Sequence, residues 1–264
     1  MVPQAALNAW SQHAPWQDQL DIEQDLILSR AIVEIANHSL LGGELAFRGG
    51  TSLHKLHASR PWRYSNDLDY VRTTRGPLKD IMTALRETMH AIGLEEASYG
   101  IKDDIVNMKF DARPTGGLGR LRVKLEINIR ETTPCFELIR RPYAVSNPWF
   151  SGRAEVLTFA LEELLGTKLR ALYQRRKGRD LFDLWLGLTQ LDADPASIIV
   201  AYQHYLALSE VVIEPAELAR NLEEKLTHDG FVRDLDQLLR QPPDGYSPPV
   251  AAAAVREHLL GRLR

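Results

Sequence analysis

The chain has 264 residues, 44% hydrophobic and 25% charged, with 17 Gly and 14 Pro, the make-up of a packed globular protein without long disordered tracts. A net charge of -3 gives no global attraction for nucleic acid or an anionic membrane, so any such contact must come from local clusters of Lys and Arg. The single cysteine, Cys135, excludes an intrachain disulfide and a Cys-based zinc site, while no apolar run approaches the roughly 18 residues that span a bilayer, so a cytoplasmic protein with no membrane attachment is expected.

Taken in chain order, Asp21 to His38 carries Ile22, Leu26, Ile27, Ile32, Val33 and Ile35 at helical spacing behind an acidic start, which predicts a helix. Glu44 to Phe47 predicts a short strand running into Gly49 and Gly50, and Thr51 to His57 returns to helical spacing. Asp67-Leu68-Asp69-Tyr70-Val71 alternates polar and apolar, so both carboxylates share one face of a strand. A helix over Leu78 to Ile92 follows. Two strands, Ile105 to Phe110 and Leu121 to Ile129, are then joined by a turn rich in Pro and Gly. Beyond about Phe159 the pattern is helical, interrupted near Gly178, Asp192 to Pro195, Pro215 and the loop Gln241 to Pro249. The expected organisation is α+β: a mixed-sheet domain over residues 1–155 and a helical domain over 156–264, with substrate held between them.

Two carboxylates one residue apart on a strand repel each other unless a cation neutralises them, and hard divalent ions such as Mg²⁺ or Mn²⁺ bind one or two carboxylates while substrate phosphates complete their shell. Asp67 and Asp69 are therefore candidate metal ligands, although a short Asp-x-Asp by itself more often marks a solvated strand edge. Gly49-Gly50-Thr51-Ser52 lies between a strand and a helix, where backbone N–H groups and the helix dipole favour an anion such as a triphosphate, to which Thr51 and Ser52 add hydroxyl donors; read alone, Gly-Gly more often marks a tight turn. In Arg122-Val123-Lys124-Leu125-Glu126-Ile127-Asn128 the alternation puts Lys124, Glu126 and Asn128 on one face, which makes Glu126 either a third carboxylate for a two-metal site or one half of a surface ion pair.

Phe47-Arg48-Gly49-Gly50-Thr51-Ser52-Leu53 followed by Arg63-Tyr64-Ser65-Asn66-Asp67-Leu68-Asp69 resembles the glycine turn and Asp-x-Asp signature of the AbiEii/AbiGii nucleotidyltransferase toxins, in the DNA polymerase β-like superfamily. Leu161 to Leu172, with Lys168, and then Arg179-Asp180-Leu181-Phe182-Asp183-Leu184 resemble the two later motifs of that group, in the same order. Asn66 stands where an acidic residue is common. The resemblance spans about residues 40–190 and implies a polymerase β-like lobe that transfers NMP from an NTP to an RNA acceptor, the tRNA 3′ end above all, with a protein or small-molecule acceptor, or an inactive binding module, as alternatives. It implies a cognate antitoxin with a winged-helix DNA-binding domain. It also implies that Lys168 binds the triphosphate and that Asp180 orients Lys168 or accepts the acceptor proton; from its spacing alone, Lys168 could equally snorkel from a core-facing helix. Asp183 shares the helical side of Asp180 and is open between a functional role and a pairing with Arg179. The run Arg175, Arg176, Lys177 and Arg179, with Arg113, Arg120, Arg122 and Arg130 if the hairpin lies close, is a candidate RNA contact or a solvated face. His54 and His57 are assigned no metal.

Overall fold

The computed structural model describes residues 2–14, 16–117 and 119–263; Leu118, in the turn of the expected hairpin, lies outside them. The chain packs as two compact units, Met1–Pro134 with Leu138–Phe159, and Cys135–Glu137 with Ala160–Arg264. Residue 155, read from the sequence as the boundary, lies within the last strand of the first unit.

In the first unit, α1 (Gln4–Trp10) precedes α2 (Gln19–Asn37), which starts where the Asp18 side chain accepts the Leu20 N–H at 2.8 Å. The short α3 (Leu41–Glu44) leads into β1 (Leu45–Arg48), and α4 (Gly49–Ser52) continues as a π-helical turn, Leu53–His57. Then come β2 (Asp67–Arg72), α5 (Lys79–Ala91), β3 (Glu95–Lys102), β4 (Ile105–Ala112), β5 (Leu121–Asn128), β6 (Ile139–Ser146) and β7 (Ser151–Thr158). Among the described residues the strands form one mixed sheet in the order β3-β4-β5-β2-β1-β7-β6, parallel at β2–β5 and β1–β7 and antiparallel elsewhere. The α+β fold expected from the sequence is present. Three strands were not foreseen, β3, β6 and β7: in β3, an edge strand exposed along its whole length, the alternation is brief, Ala97, Tyr99 and Ile101 around Gly100, while β6, the other edge strand, carries Pro142 where a central strand would not tolerate it.

Burial decides which side chains face outward. Leu121, Val123, Leu125 and Ile127 of β5 are all buried, each contributing about 1.5–3 kcal/mol, so a one-residue slip that exposed them and buried Lys124 and Glu126 is strongly disfavoured. On β2 the same rule buries Leu68 and Tyr70, the latter against Phe47 of β1 with ring centroids 4.9 Å apart, and turns Asp67 and Asp69 to the opposite face.

The second unit contains α6 (Leu161–Gln174), α7 (Gly178–Gln190), α8 (Pro195–Leu208), α9 (Pro215–Leu226), α10 (Asp229–Val232) and α11 (Pro248–His258). Asp194 caps α8 and Pro195 occupies its first turn. Gly166 lets α6 approach α8 closely: a Cβ there would lie 2.7 Å from Ala201 Cβ and 2.8 Å from Tyr202 N. Glu163, fully buried on α6, accepts the Cys135 and Phe136 N–H groups at 2.7 and 3.0 Å and the Tyr205 hydroxyl at 2.6 Å, which explains why residues 135–137 pack with the helices. Among the described residues no helix is long and apolar enough to cross a membrane.

Candidate active site

Strand register assembles the carboxylates. Asp69 is paired with Glu126 and Asp67 with Lys124 across the parallel β2–β5 ladder, so all four side chains share a face, with neighbouring strands about 4.8 Å apart. All four are half-buried. Arg48, paired with Asp69 from β1, extends the same row and binds Glu131 at 2.9 Å.

The glycine turn is built around this row. Gly49 has φ +81°, a conformation that favours glycine, and a Cβ there would lie 2.2 Å from Asp69 Oδ2. At Gly50 a Cβ would lie 2.3 Å from Nη2 of Arg63, a buried side chain that donates to the Tyr64 carbonyl at 3.0 Å. Only a residue without a side chain lets the turn close onto both groups. Thr51 and Ser52, expected to offer hydroxyls to a triphosphate, are buried instead. The Thr51 hydroxyl donates to the Asp67 carbonyl at 2.7 Å, and Ser52 Oγ lies 2.9 Å from the Thr158 hydroxyl, which donates to the Phe47 carbonyl. Their hydroxyls brace the turn; what the turn can offer an anion is backbone.

One residue the sequence did not single out ties the turn after the glycines to α2. Lys55, one helical turn beyond the glycines, keeps only 9% of its side chain exposed and donates to Asp25 and Ser29 of α2, each at 2.9 Å, and Asp25 also accepts the Trp10 indole N–H at 2.9 Å. Burial alone would lower the Lys55 pKa, but the Asp25 carboxylate raises it above the ordinary lysine value. His57 is pushed down to about 4, first by burial and then by Arg141. A neutral imidazole in that setting belongs to the packing.

The donor set accommodates a hard divalent ion only in part. Asp67 and Asp69 present oxygens on one half-exposed face, the arrangement that substrate phosphates complete around Mg²⁺. Glu126, the expected third ligand, is in register but its carboxylate is held by Lys124 at 2.8 Å. Among the described residues no three His, Cys, Asp or Glu side chains are gathered closely enough to hold a metal. Desolvation opposes the charge of Lys124, yet Glu126 and then Asp67 and Asp69 raise its pKa.

In the helical unit Lys168 Nζ lies 3.1 Å from Asp180 Oδ1 and 2.9 Å from Asp183 Oδ2, all three side chains being buried. Arg175 adds two bonds to Asp180, at 2.7 and 2.8 Å. Burial would raise the Asp180 pKa, but Lys168 and Arg175 bring it below the ordinary value. A carboxylate with both oxygens bonded to cations is a poor proton acceptor, which favours the orienting role over the basic one. Asp183, for which Arg179 was the candidate partner, meets Lys168. Arg175, Arg176 and Lys177 are exposed between α6 and α7, Lys177 lies 3.9 Å from Asp234, and the Arg179 N–H donates to that same carboxylate.

Comparison with known proteins bears on this geometry. The family model described as nucleotidyl transferase AbiEii toxin, type IV toxin–antitoxin system, matches residues 30–256. Among solved structures, the chain resembles the nucleotidyltransferase toxin MenT4 of Mycobacterium tuberculosis, with a TM-score of 0.67 and 17% identity over 98% of this chain and 90% of that one. It also resembles a putative nucleotidyltransferase from Helicobacter pylori, with a TM-score of 0.55 and 18% identity over 90% of this chain and 92% of that one. JHP933 of the same organism matches with a TM-score of 0.53 and 18% identity, covering 90% and 89% respectively. No curated protein sequence matches significantly.

Proposed function

Because the chain belongs to the AbiEii family of nucleotidyl transferase toxins of type IV toxin–antitoxin systems, we propose that it moves a nucleoside monophosphate from an NTP to a hydroxyl of an RNA acceptor, the tRNA 3′ end first among them. The observation that carries this reading is the half-exposed pair Asp67 and Asp69, with the Asp69 carboxylate against the glycine turn and Glu126 in register beside it.

Asp67 and Asp69 would hold a Mg²⁺ or Mn²⁺ ion, which when bound supplies positive charge to the phosphates and to the attacking oxygen. The bond from the acceptor oxygen to the α-phosphorus forms as the bond to pyrophosphate breaks. Gly49 and Gly50 keep the backbone open to an anion, and Asp69 depends on Gly49 for its position. Glu126 joins the set by leaving Lys124. Lys168 is assigned to a phosphate of the donor, with Asp180 and Asp183 orienting its ammonium, and the exposed Arg175, Arg176 and Lys177, with Arg179, to the RNA. The family implies a cognate antitoxin; a winged-helix DNA-binding domain in that antitoxin and a cytoplasmic location are further parts of the proposal.

The test is incubation of the full chain with total tRNA, Mg²⁺ and each α-³²P-NTP in turn, beside Asp67→Ala. Label in RNA with the wild type alone is the expected result. Label in protein, or equal label with both chains, overturns the reading.

A further inference from the structure

The carboxylate face of the sheet continues past β5 onto β4, and there the charge pairing changes. Asp111 of β4 is paired with Arg122 of β5, and the two bond at 2.8 Å, an oppositely charged cross-strand pair of the stabilising kind. Asn107 is paired with Glu126, a polar match. Between these two rows, Lys109 is paired directly with Lys124. Like charges placed directly opposite destabilise a sheet, and in this ladder the mismatch stands beside the metal-binding candidates, because Lys124 is paired on its other side with Asp67. One row therefore runs Ser98, Lys109, Lys124, Asp67 across four neighbouring strands, β3, β4, β5 and β2.

The two lysines differ in how they are satisfied. Lys124 turns along its own strand to Glu126 at 2.8 Å. Lys109 is half-buried and its ammonium makes no hydrogen bond or ion pair among the described residues. A cation kept in this position against a second cation, without a counter-ion, is a local inconsistency of the sort that folds retain at binding sites. The glycine turn follows β1, on one side of the Asp67 and Asp69 strand, and the lysine pair lies on the other. If the donor triphosphate uses the turn, the lysines are left for the other phosphate-bearing substrate.

We propose that Lys109 and Lys124 form a phosphodiester-binding site for the acceptor RNA strand, leading its terminal hydroxyl toward Asp67 and Asp69. The inference rests on the proposed transfer to RNA. The lysines lie about one and two strand spacings from Asp67, roughly 5 and 10 Å, so a backbone phosphate held between them lies near the acceptor terminus. When such a phosphate engages Lys124, Glu126 loses its partner and is released toward the carboxylate pair.

The test uses the full-length protein with total tRNA as probe and no NTP, so that binding is read without turnover. Lys109→Gln should weaken tRNA binding about three- to tenfold and reduce the slope of log affinity against log salt by about 0.7 to 1, as loss of one phosphate contact requires. Lys109→Glu should weaken it further, by about tenfold or more, while raising Tm by about 1–3 °C because the like-charge pair becomes an opposite pair. Lys79→Glu, the same charge change on exposed Lys79 of α5, should leave both readings at the wild-type level. Binding of Mg-NTP by calorimetry should be unchanged in the Lys109 variants. Unchanged tRNA affinity in both Lys109 variants, or a loss confined to NTP, overturns the site while leaving nucleotidyl transfer standing. A wild type that binds no tRNA even at low salt overturns both.

Discussion

Asp67 and Asp69 stand half-exposed on a strand whose other face is core, whereas Asp180 and Asp183 are fully buried on α7, with Lys168 and Arg175 bonded to them. The same residue type is thus used in two ways. In the sheet, Asp67 and Asp69 stand at the half-exposed face where the proposed metal would meet them; in the helices, the protein supplies the cations itself. Exposure decides how much each arrangement matters to the fold. An exposed ion pair is worth about 0–1 kcal/mol, while a broken buried pair leaves a charge that costs about 3–5 kcal/mol.

That contrast is tested most strongly by Lys168→Met, which should lower unfolding free energy by about 3–5 kcal/mol in a urea melt because Asp183 loses its ammonium partner. Restoration of part of that loss by adding Asp183→Asn would sharpen the point. A variant that melts like the wild type yet is inactive would move Lys168 from packing to chemistry. Next in size, Asp69→Asn should slow transfer by about 10²- to 10³-fold, the loss typical of removing one charge-stabilising group, with a melt near that of the wild type. Gly49→Ala should show both effects in smaller measure, because its φ of +81° and the nearby Asp69 carboxylate leave no room for a methyl group. A strain of about 1–3 kcal/mol is expected, with a fall in activity as Asp69 is displaced.

The smallest effect concerns pH. His57 titrates at about 4 in the fold against an ordinary 6.5, so between those values the unfolded chain binds more protons and stability falls as pH drops through that window. Asp180 acts below it: with its pKa lowered from 3.8, its contribution is present above 3.8 and is lost as pH falls further. His57→Gln should flatten the decline between 6.5 and 4 in a series of thermal melts while leaving the loss below 3.8 in place.

Much of the sheet could be read in advance because its central strands obey a two-residue period. Leu121 to Asn128 alternates cleanly and Asp67 to Tyr70 does so before Val71 and Arg72, both buried, end the pattern, and the register of β2 against β5 follows from keeping their apolar residues on one side. The outer strands β3 and β6 were not read, since their alternation is short, Ala97, Tyr99 and Ile101 in one and Tyr143 and Val145 in the other, and is interrupted by Gly100 and Pro142. The two glycines were visible as a turn, but that Gly49 answers to Asp69 and Gly50 to Arg63 depends on atoms 20 and 13 positions away. The hydroxyls of Thr51 and Ser52 were assigned to a ligand because a sequence does not say which donors the fold itself will use.

By itself the sequence determined the α+β class, the shared face of Asp67 and Asp69, the strand–glycine–helix order and the helical second half, because each depends on spacing between near neighbours. Only the tertiary structure decided that Glu126 lies beside Asp69 yet bonds to Lys124, that Lys109 faces Lys124, and that Lys168 is enclosed by Asp180 and Asp183. Those pairings join residues far apart in the chain, and they are selected by burial and strand register acting on the whole fold, which no local pattern encodes.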